Sequence, residues 1–114
     1  MEPAEPVTAD QIFERRWALT LLEAVLARLR RDYAASGQAR LFDELKPALT
    51  GERALAGYVD LGRELGMSEG AVKVAVHRLR QRYGELLREE IAHTVASPGE
   101  VEEELRHLLT ALSR

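Results

Sequence analysis

The sequence predicts an all-α fold, a small bundle of about five helices that contains a helix-turn-helix. Leu, Ala, Glu and Arg, all good helix formers, dominate the 114 residues, whereas aromatic residues make up 5%. Apolar residues recur at steps of three and four along most of the chain, and no segment alternates as a strand does. Gly, Pro and Ser mark the breaks between these periodic segments. Together these observations favour helices that pack through amphipathic faces.

The composition indicates one globular domain. Hydrophobic residues make up 46% of the chain and charged residues 31%, and the absence of cysteine leaves neither a disulfide framework nor a thiolate metal site. The apolar runs are too short to span a membrane, so we expect no membrane partner. Without a visible secretory leader we expect a cytoplasmic location. A flexible N-terminal tail is predicted at Met1–Val7, where two prolines oppose regular structure, before a single domain over residues 8–114.

The first predicted helix is long. It begins at a capping box formed by Thr8 and Gln11 and ends at about Ala35, before Ser36 and Gly37. It carries two apolar stripes, and in the simplest interpretation both belong to the core, while the alternative assigns one of them to a partner. The first stripe comprises Leu19, Leu22, Leu26, Leu29 and Tyr33, and the second comprises Phe13, Trp17 and Leu21.

Two shorter helices are predicted near the middle and the end of the chain. One covers about Gln38–Leu49, where Pro47 is expected to kink or end it, and Thr50–Gly57 follows as a linker. The other follows the break at Val95–Glu100, for which Ser97 is the predicted cap. The apolar faces of these two helices comprise Leu41, Phe42, Leu45 and Leu49, and Val101, Leu105, Leu108, Leu109 and Leu112.

Residues 58–83 predict the helix-turn-helix. The first helix covers about Tyr58–Leu65 and follows Gly57, whereas the second covers about Glu69–His93. Three small residues are expected to shape the connection: Gly62 lets the crossing helix come close, Gly66 takes the left-handed turn, and Ser68 caps the second helix.

The second helix has two sides that differ in residue type. Residues 69–83 contain four cations and one anion, although the formal net charge of the whole chain is −3. Local charge sets the field at a binding face, and the preceding turn favours a DNA-recognition helix over a merely solvated one. The apolar side carries Val72, Val76, Leu79 and Tyr83, and the outward side carries Gly70, Val74, His77, Arg78 and Gln81, flanked by Lys73.

This outward set has the chemistry that duplex DNA requires. Cations neutralise phosphates, and short or forked polar side chains reach base edges in the major groove. Lys73, His77 and Arg78 are placed to reach guanine acceptors or phosphates. Val74 is a candidate contact for a thymine methyl, with an ordinary surface valine as the alternative. The complete predicted DNA-binding set is Ser68, Gly70, Lys73, Val74, His77, Arg78, Arg80, Gln81 and Arg82, of which Ser68 and the last three are expected at the DNA backbone.

Nothing in the sequence indicates an active site. His77 has no other His or carboxylate at a metal-ligand spacing, because His93 and His107 lie far from it in the chain. The acidic run Glu102–Glu104 is most simply a solvated helix start. No nucleophile–base set and no glycine-rich phosphate loop stands out. We therefore expect no enzyme activity, no cofactor and no metal.

Residues 58–83 resemble domain 4 of bacterial RNA polymerase sigma factors, the region 4 helix-turn-helix of the extracytoplasmic-function type in the sigma-70 family. The matching letters are LGMSEGAVK at Leu65–Lys73 and HRLR at His77–Arg80. The resemblance implies recognition of the −35 element of double-stranded promoter DNA and docking on the β-subunit flap of the RNA polymerase core. It also implies an anti-sigma factor as a candidate partner. The base-facing positions that it implies are Lys73, Val74, His77 and Arg78.

The chain also departs from the family pattern. Ala75 stands where many relatives have arginine and Ala71 where many have threonine, so weaker phosphate contact is expected; Gly62 replaces the usual alanine. No counterpart of sigma domain 2, which melts the −10 region, is visible in the sequence. We therefore expect weak binding to promoter or polymerase, and no initiation of transcription by this chain alone.

Two alternatives stay open at this point. The first is a stand-alone helix-turn-helix regulator that dimerises through Phe13, Trp17 and Leu21 and binds a palindromic target. The second is a protein-binding helical module without DNA affinity, in which the motif only packs helices together. A salt titration distinguishes the protein-binding module from the two DNA-binding functions. Binding in a DNA groove weakens steeply as the salt concentration rises, whereas the protein-binding module has no affinity for duplex DNA.

Overall fold

All secondary structure in the described part of the chain is helical. A computed structural model describes residues 8–50 and 57–113, and the predicted tail at Met1–Val7 and most of the predicted linker Thr50–Gly57 lie outside these residues. The predicted all-α class is confirmed. The helices are α1 (Ala9–Ala35), α2 (Ala39–Leu45), α3 (Pro47–Thr50), α4 (Tyr58–Leu65), α5 (Glu69–Ala92) and α6 (Val101–Leu112), with a 3-10 turn at Pro98–Glu100. Across the described ranges, no helix is both long enough and apolar enough to cross a membrane.

Helix α1 begins at the predicted capping box. The Gln11 backbone N–H donates to Thr8 Oγ1 at 3.1 Å, and the Thr8 N–H donates to Gln11 Oε1 at 3.0 Å. The helix ends where Gly37 takes the left-handed region at a φ of 74°, which lets the Gln38 N–H donate back to the Tyr33 carbonyl at 2.8 Å. Both ends of α1 are therefore fixed by local hydrogen bonds.

The single helix predicted over Gln38–Leu49 is divided in two. Helix α2 stops at Leu45, and α3 restarts at Pro47. Proline has no N–H to donate to the preceding turn, so Pro47 cannot continue the hydrogen bonding of α2. Proline is favoured at the first position of a helix, and Pro47 occupies that position in α3. Phe42 and Leu45 are buried as predicted, whereas the other two apolar side chains, Leu41 and Leu49, are only half-buried.

The helices group into two compact units, and α1 and α5 contribute residues to both. One unit consists of residues 26–86. Its α1 and α2 segments are joined by a two-pronged ion pair, in which Arg30 Nε and Nη2 donate to the Asp43 carboxylate at 3.0 and 3.1 Å. The Tyr33 and Phe42 rings lie 5.7 Å apart between centroids. The buried apolar side chains of this unit are Leu29, Phe42, Leu45, Leu61, Val72, Val76, Leu79 and Leu86.

The other unit consists of residues up to 25 and from 87 onward. Its helices are linked by polar contacts at the surface: Arg88 Nε donates to Glu102 Oε1 at 2.7 Å, and Arg15 Nη1 donates to the Leu112 carbonyl at 3.2 Å. Its buried apolar side chains are Ala18, Val25, Leu87, Ile91, Leu108 and Ala111.

The expectation that both stripes of α1 belong to the core is wrong at the N-terminal end of this helix. Phe13 is 75% exposed and Leu19 is 42% exposed, while Trp17 and Leu21 are half-buried. The fully buried positions of α1 follow a single narrow edge, so the apolar residues on its flanks are covered only in part. They leave an apolar surface on the first half of the helix.

The Arg30–Asp43 pair predicts a pH-dependent stability. The hydrogen bond from Arg30 holds the pKa of Asp43 below its ordinary value, so the pair stabilises the fold above that value. This contribution is lost as the pH falls through the lowered pKa. Asp43→Asn should therefore unfold at lower urea than the parent at neutral pH, and the difference should close in acid.

The variant Arg30→Gln serves as the matched partner in this urea series. Like Asp43→Asn, it should unfold at lower urea than the parent at neutral pH, and this difference should also close in acid. The reason is that it removes the same ion pair through its arginine partner. A difference between parent and Asp43→Asn that stays constant from neutral to acidic buffer would contradict the assignment.

Candidate nucleic-acid interface

The connection between α4 and α5 is set by backbone geometry. Gly66 adopts the predicted left-handed conformation, with φ 69° and ψ 34°, which a residue with a Cβ tolerates poorly. The Met67 N–H then donates to the Gly62 carbonyl at 2.7 Å and closes the end of α4. Arg40, from α2, donates through Nη2 to the Glu64 carbonyl at 2.9 Å. Two of the last carbonyls of α4 are thus satisfied.

Gly62 is the residue of α4 against which the backbone of the following turn packs. A Cβ on this residue would run into the backbone carbonyl of Met67 and would lie 3.5 Å from Cγ2 of Val72. Gly62 thus lets the backbone of the turn before α5 come close, while the nearest atom of α5 itself would be at an ordinary contact distance. Because the obstacle is backbone rather than a mobile side chain, no residue larger than glycine fits without displacing the turn.

Ser68 caps α5 as predicted. Its Oγ accepts the Ala71 N–H at 3.1 Å, and its carbonyl accepts the Val72 N–H at 3.0 Å. A serine hydroxyl carries one hydrogen to donate besides its acceptor sites, so Ser68 keeps a donor at the positive end of the helix.

The rotation of α5 separates its two sides. Val72, Val76 and Leu79 are buried, with at most 2% of each exposed, as the apolar stripe predicts. Tyr83 is only half-buried, and this burial raises the pKa of its hydroxyl. The exposed residues of the predicted set are Ser68, Gly70, Lys73, Val74, His77, Arg78, Arg80 and Gln81. Eight predicted DNA-binding residues therefore lie at the protein surface.

Two of the outward residues have surroundings that bear on binding. Lys73 Nζ lies 3.5 Å from Glu69 Oε1 and 6.0 Å from the centre of the Tyr58 ring. Exposed pairs of this kind exchange readily for other ions, so a phosphate can replace Glu69 as the partner. Gly70 has no heavy atom within 4 Å of where a Cβ would stand. Its lack of a side chain is therefore not required by packing and leaves open space in front of the helix.

Arg82 differs from the rest of the predicted set. It is half-buried, and its guanidinium donates to Glu85 Oε2 at 3.0 Å and approaches Asp32 Oδ2 at 3.4 Å. The hydrogen bond with Glu85 is the main reason that its pKa is raised. Arg82 thus braces α5 against α1 within the unit of residues 26–86, and contact with DNA would require it to leave these carboxylates.

The structure adds residues that the sequence patterns did not indicate. A cleft of about 400 Å³ runs beside the outward side of α5, and we call it the α5 cleft. One wall carries Tyr33, Gln38 and Leu41, and the α5 wall carries Gly70, Val74 and Arg78. No sequence signal could have found the first wall, because it depends on how the end of α1 packs beside α5.

Arg78 acts electrostatically on the opposite wall of the α5 cleft. Burial raises the pKa of the Tyr33 hydroxyl, and the positive charge of Arg78 opposes that rise. The phenol therefore stays protonated at neutral pH and remains a hydrogen-bond donor. Its ring packs beside the Phe42 ring at an angle of 52°.

No protein-family model matches the chain, and no curated protein or solved structure matches it either. The resemblance of residues 58–83 to sigma domain 4 therefore stays a prediction. In residues 8–50 and 57–113, no group of three or more His, Cys, Asp or Glu side chains is placed to hold a metal ion.

The close approach at Gly62 yields a stability prediction. Alanine is favoured over glycine inside a helix by about 1 kcal/mol, yet Gly62→Ala should destabilise the fold by roughly 1–3 kcal/mol, because its Cβ meets backbone. Gly70→Ala is the matched control. It meets nothing, so it should be neutral or stabilising. Urea unfolding of both variants measures the contrast, and a Gly62→Ala variant as stable as the parent would contradict the geometry of this turn.

Proposed function

We propose that this chain binds double-stranded promoter DNA through the outward side of α5, as a sigma-like domain 4 that recognises the −35 element. The observation that carries the proposal is the separation of sides on this helix. Lys73, His77 and Arg78 are exposed, while the valines and leucine on the other side are buried. A helix so oriented presents its cations and forked donors to a ligand rather than to its own core.

The dimensions of this side suit a major groove. From Gly70 to Gln81 the helix advances by about 16 Å, roughly three turns, and its cylinder of about 10–12 Å matches a groove about 12 Å wide. Gly70 leaves room at the end that enters the groove. Val74, which is 49% exposed, offers an apolar contact for a thymine methyl. Arg80 and Gln81 are proposed to contact the DNA backbone.

The polymerase flap and an anti-sigma factor are proposed partners on the strength of the resemblance. The apolar surface on the first half of α1 supports a protein partner in general, because exposed apolar patches mark sites of protein interaction. Ile12 and Phe13 are 58% and 75% exposed there, and a shallow groove of about 560 Å³ includes Ile12 and Leu19.

A second candidate function is favoured by the same apolar surface. A stand-alone helix-turn-helix regulator would bind a palindrome as a dimer, and exposed Phe13 beside Trp17 and Leu21 is a surface on which two copies can associate. Sedimentation equilibrium distinguishes the two. A monomer supports the sigma-like domain, whereas a dimer that Phe13→Ser dissociates supports the regulator.

Arg78→Ala tests the proposed function. Duplexes are first selected from a random pool, with and without core RNA polymerase, and their affinities are then measured by fluorescence anisotropy. If Arg78 contacts a guanine, the variant should lose roughly 1–3 kcal/mol of discrimination between the selected duplex and its mismatched derivatives. Parent affinity should fall steeply as salt rises, because bound cations release counterions.

Arg106→Ala is the matched control, since it removes the same charge from the exposed side of α6. It should leave the discrimination unchanged. An equal loss on every duplex would remove Arg78 from base recognition. A parent chain without affinity for any duplex at low salt, with or without polymerase, would overturn the proposed function.

A further inference from the structure

We propose that the Tyr33 hydroxyl and the Gln38 side-chain amide contact the phosphates of one DNA strand, from the far wall of the α5 cleft. This inference rests on the proposed function, and it names two contacts that the recognition helix itself does not supply. Both residues lie outside α4 and α5, so the interface would extend beyond the two helices from which the sequence predicts it.

The far wall of the α5 cleft is held in place by short-range contacts. The Gln38 N–H donates to the Tyr33 carbonyl at 2.8 Å, which ties the two residues together across the end of α1. The Tyr33 ring packs beside Phe42, with 5.7 Å between ring centres, and Phe42 is buried. The Tyr33 ring and the backbone of Gln38 are therefore held beside α5, and both residues line the cleft.

Both side chains have donors to offer. Within residues 8–50 and 57–113, the structure records no hydrogen bond made by the Tyr33 hydroxyl or by the Gln38 side-chain amide. Hydroxyl and amide groups are among the donors that proteins direct at phosphate oxygens. The raised pKa of Tyr33 keeps its hydroxyl protonated, in agreement with this role.

The α5 cleft has the charge that a DNA strand requires. Among its described lining residues, Arg78 is charged and none is acidic, so an anion entering the cleft meets attraction without opposing carboxylates. Gly70, Ala71 and Ala75 are small, and they keep the α5 wall low enough for a strand to approach.

The position of the cleft follows from groove geometry. A helix with its side chains nearly fills the major groove, so the two phosphate backbones pass along its two flanks. A structural element beside one flank therefore meets a backbone and not base edges. Tyr33 and Gln38 form such an element next to Val74 and Arg78, and contacts of this kind fix register without carrying sequence information.

Tyr33→Phe and Gln38→Ala test this inference in the full chain. Each should weaken binding by roughly fivefold, the usual value of one net hydrogen bond, and the loss should be the same on every duplex. The slope of log affinity against log salt should not change, because neither side chain displaces a counterion. Tyr83→Phe, which alters a half-buried tyrosine of α5, should bind like the parent. Thermal unfolding of each variant serves as the control for correct folding.

Phosphate ethylation interference gives an independent readout. One ethylated phosphate position that inhibits binding of the parent should lose its effect in Tyr33→Phe. If the parent binds duplex and both variants bind as tightly as the parent, this inference is overturned and the proposed function stands. A loss of affinity in these variants that depends on the duplex sequence also overturns the inference, because phosphate contacts carry no sequence information. If the parent binds no duplex, the inference and the proposed function both fail.

Discussion

The contact between Gly62 and the Met67 carbonyl is the constraint on which the rest of this region depends. It places the turn that leads into α5 against α4, and the left-handed Gly66 lies within that turn. Once the start of α5 is fixed, Val72 and the two buried residues one and two turns later settle its rotation. A shift of one residue would turn the helix by about 100°, and would bring cations toward the core.

Fixing this rotation has a chemical consequence. Charged side chains cannot be buried without partners, so the basic residues of α5 must face solvent or find carboxylates. Arg82 pairs with the carboxylates of Glu85 and Asp32, and the pair with Asp32 helps hold α5 beside α1. His77 and Arg78 face solvent, and Lys73 does so with Glu69 as an exposed partner. Arg82 therefore has a bracing role, whereas His77 and Arg78 stay exposed for a ligand, although the sequence predicts all three to bind DNA.

Features with a local mechanism were predictable from the sequence. The capping box at Thr8, the left-handed Gly66, the Ser68 cap and the bounds of α4 each depend on residues within one or two turns. Features that depend on distant packing were not. Phe13 belongs to a clear apolar stripe yet is exposed, because a stripe does not say which neighbour covers it. The Tyr33 wall of the α5 cleft was likewise missed, since it is created by tertiary contact alone.

We propose that the outward side of α5 is the surface that contacts DNA. Titration of the isotope-labelled chain with a short promoter duplex, followed by amide chemical shifts, tests it residue by residue. We expect the largest shifts to fall along α5 between Gly70 and Gln81, and we expect added salt to reduce them. Shifts confined to the exposed apolar half of α1, around Phe13, or no shifts at low salt, would contradict it.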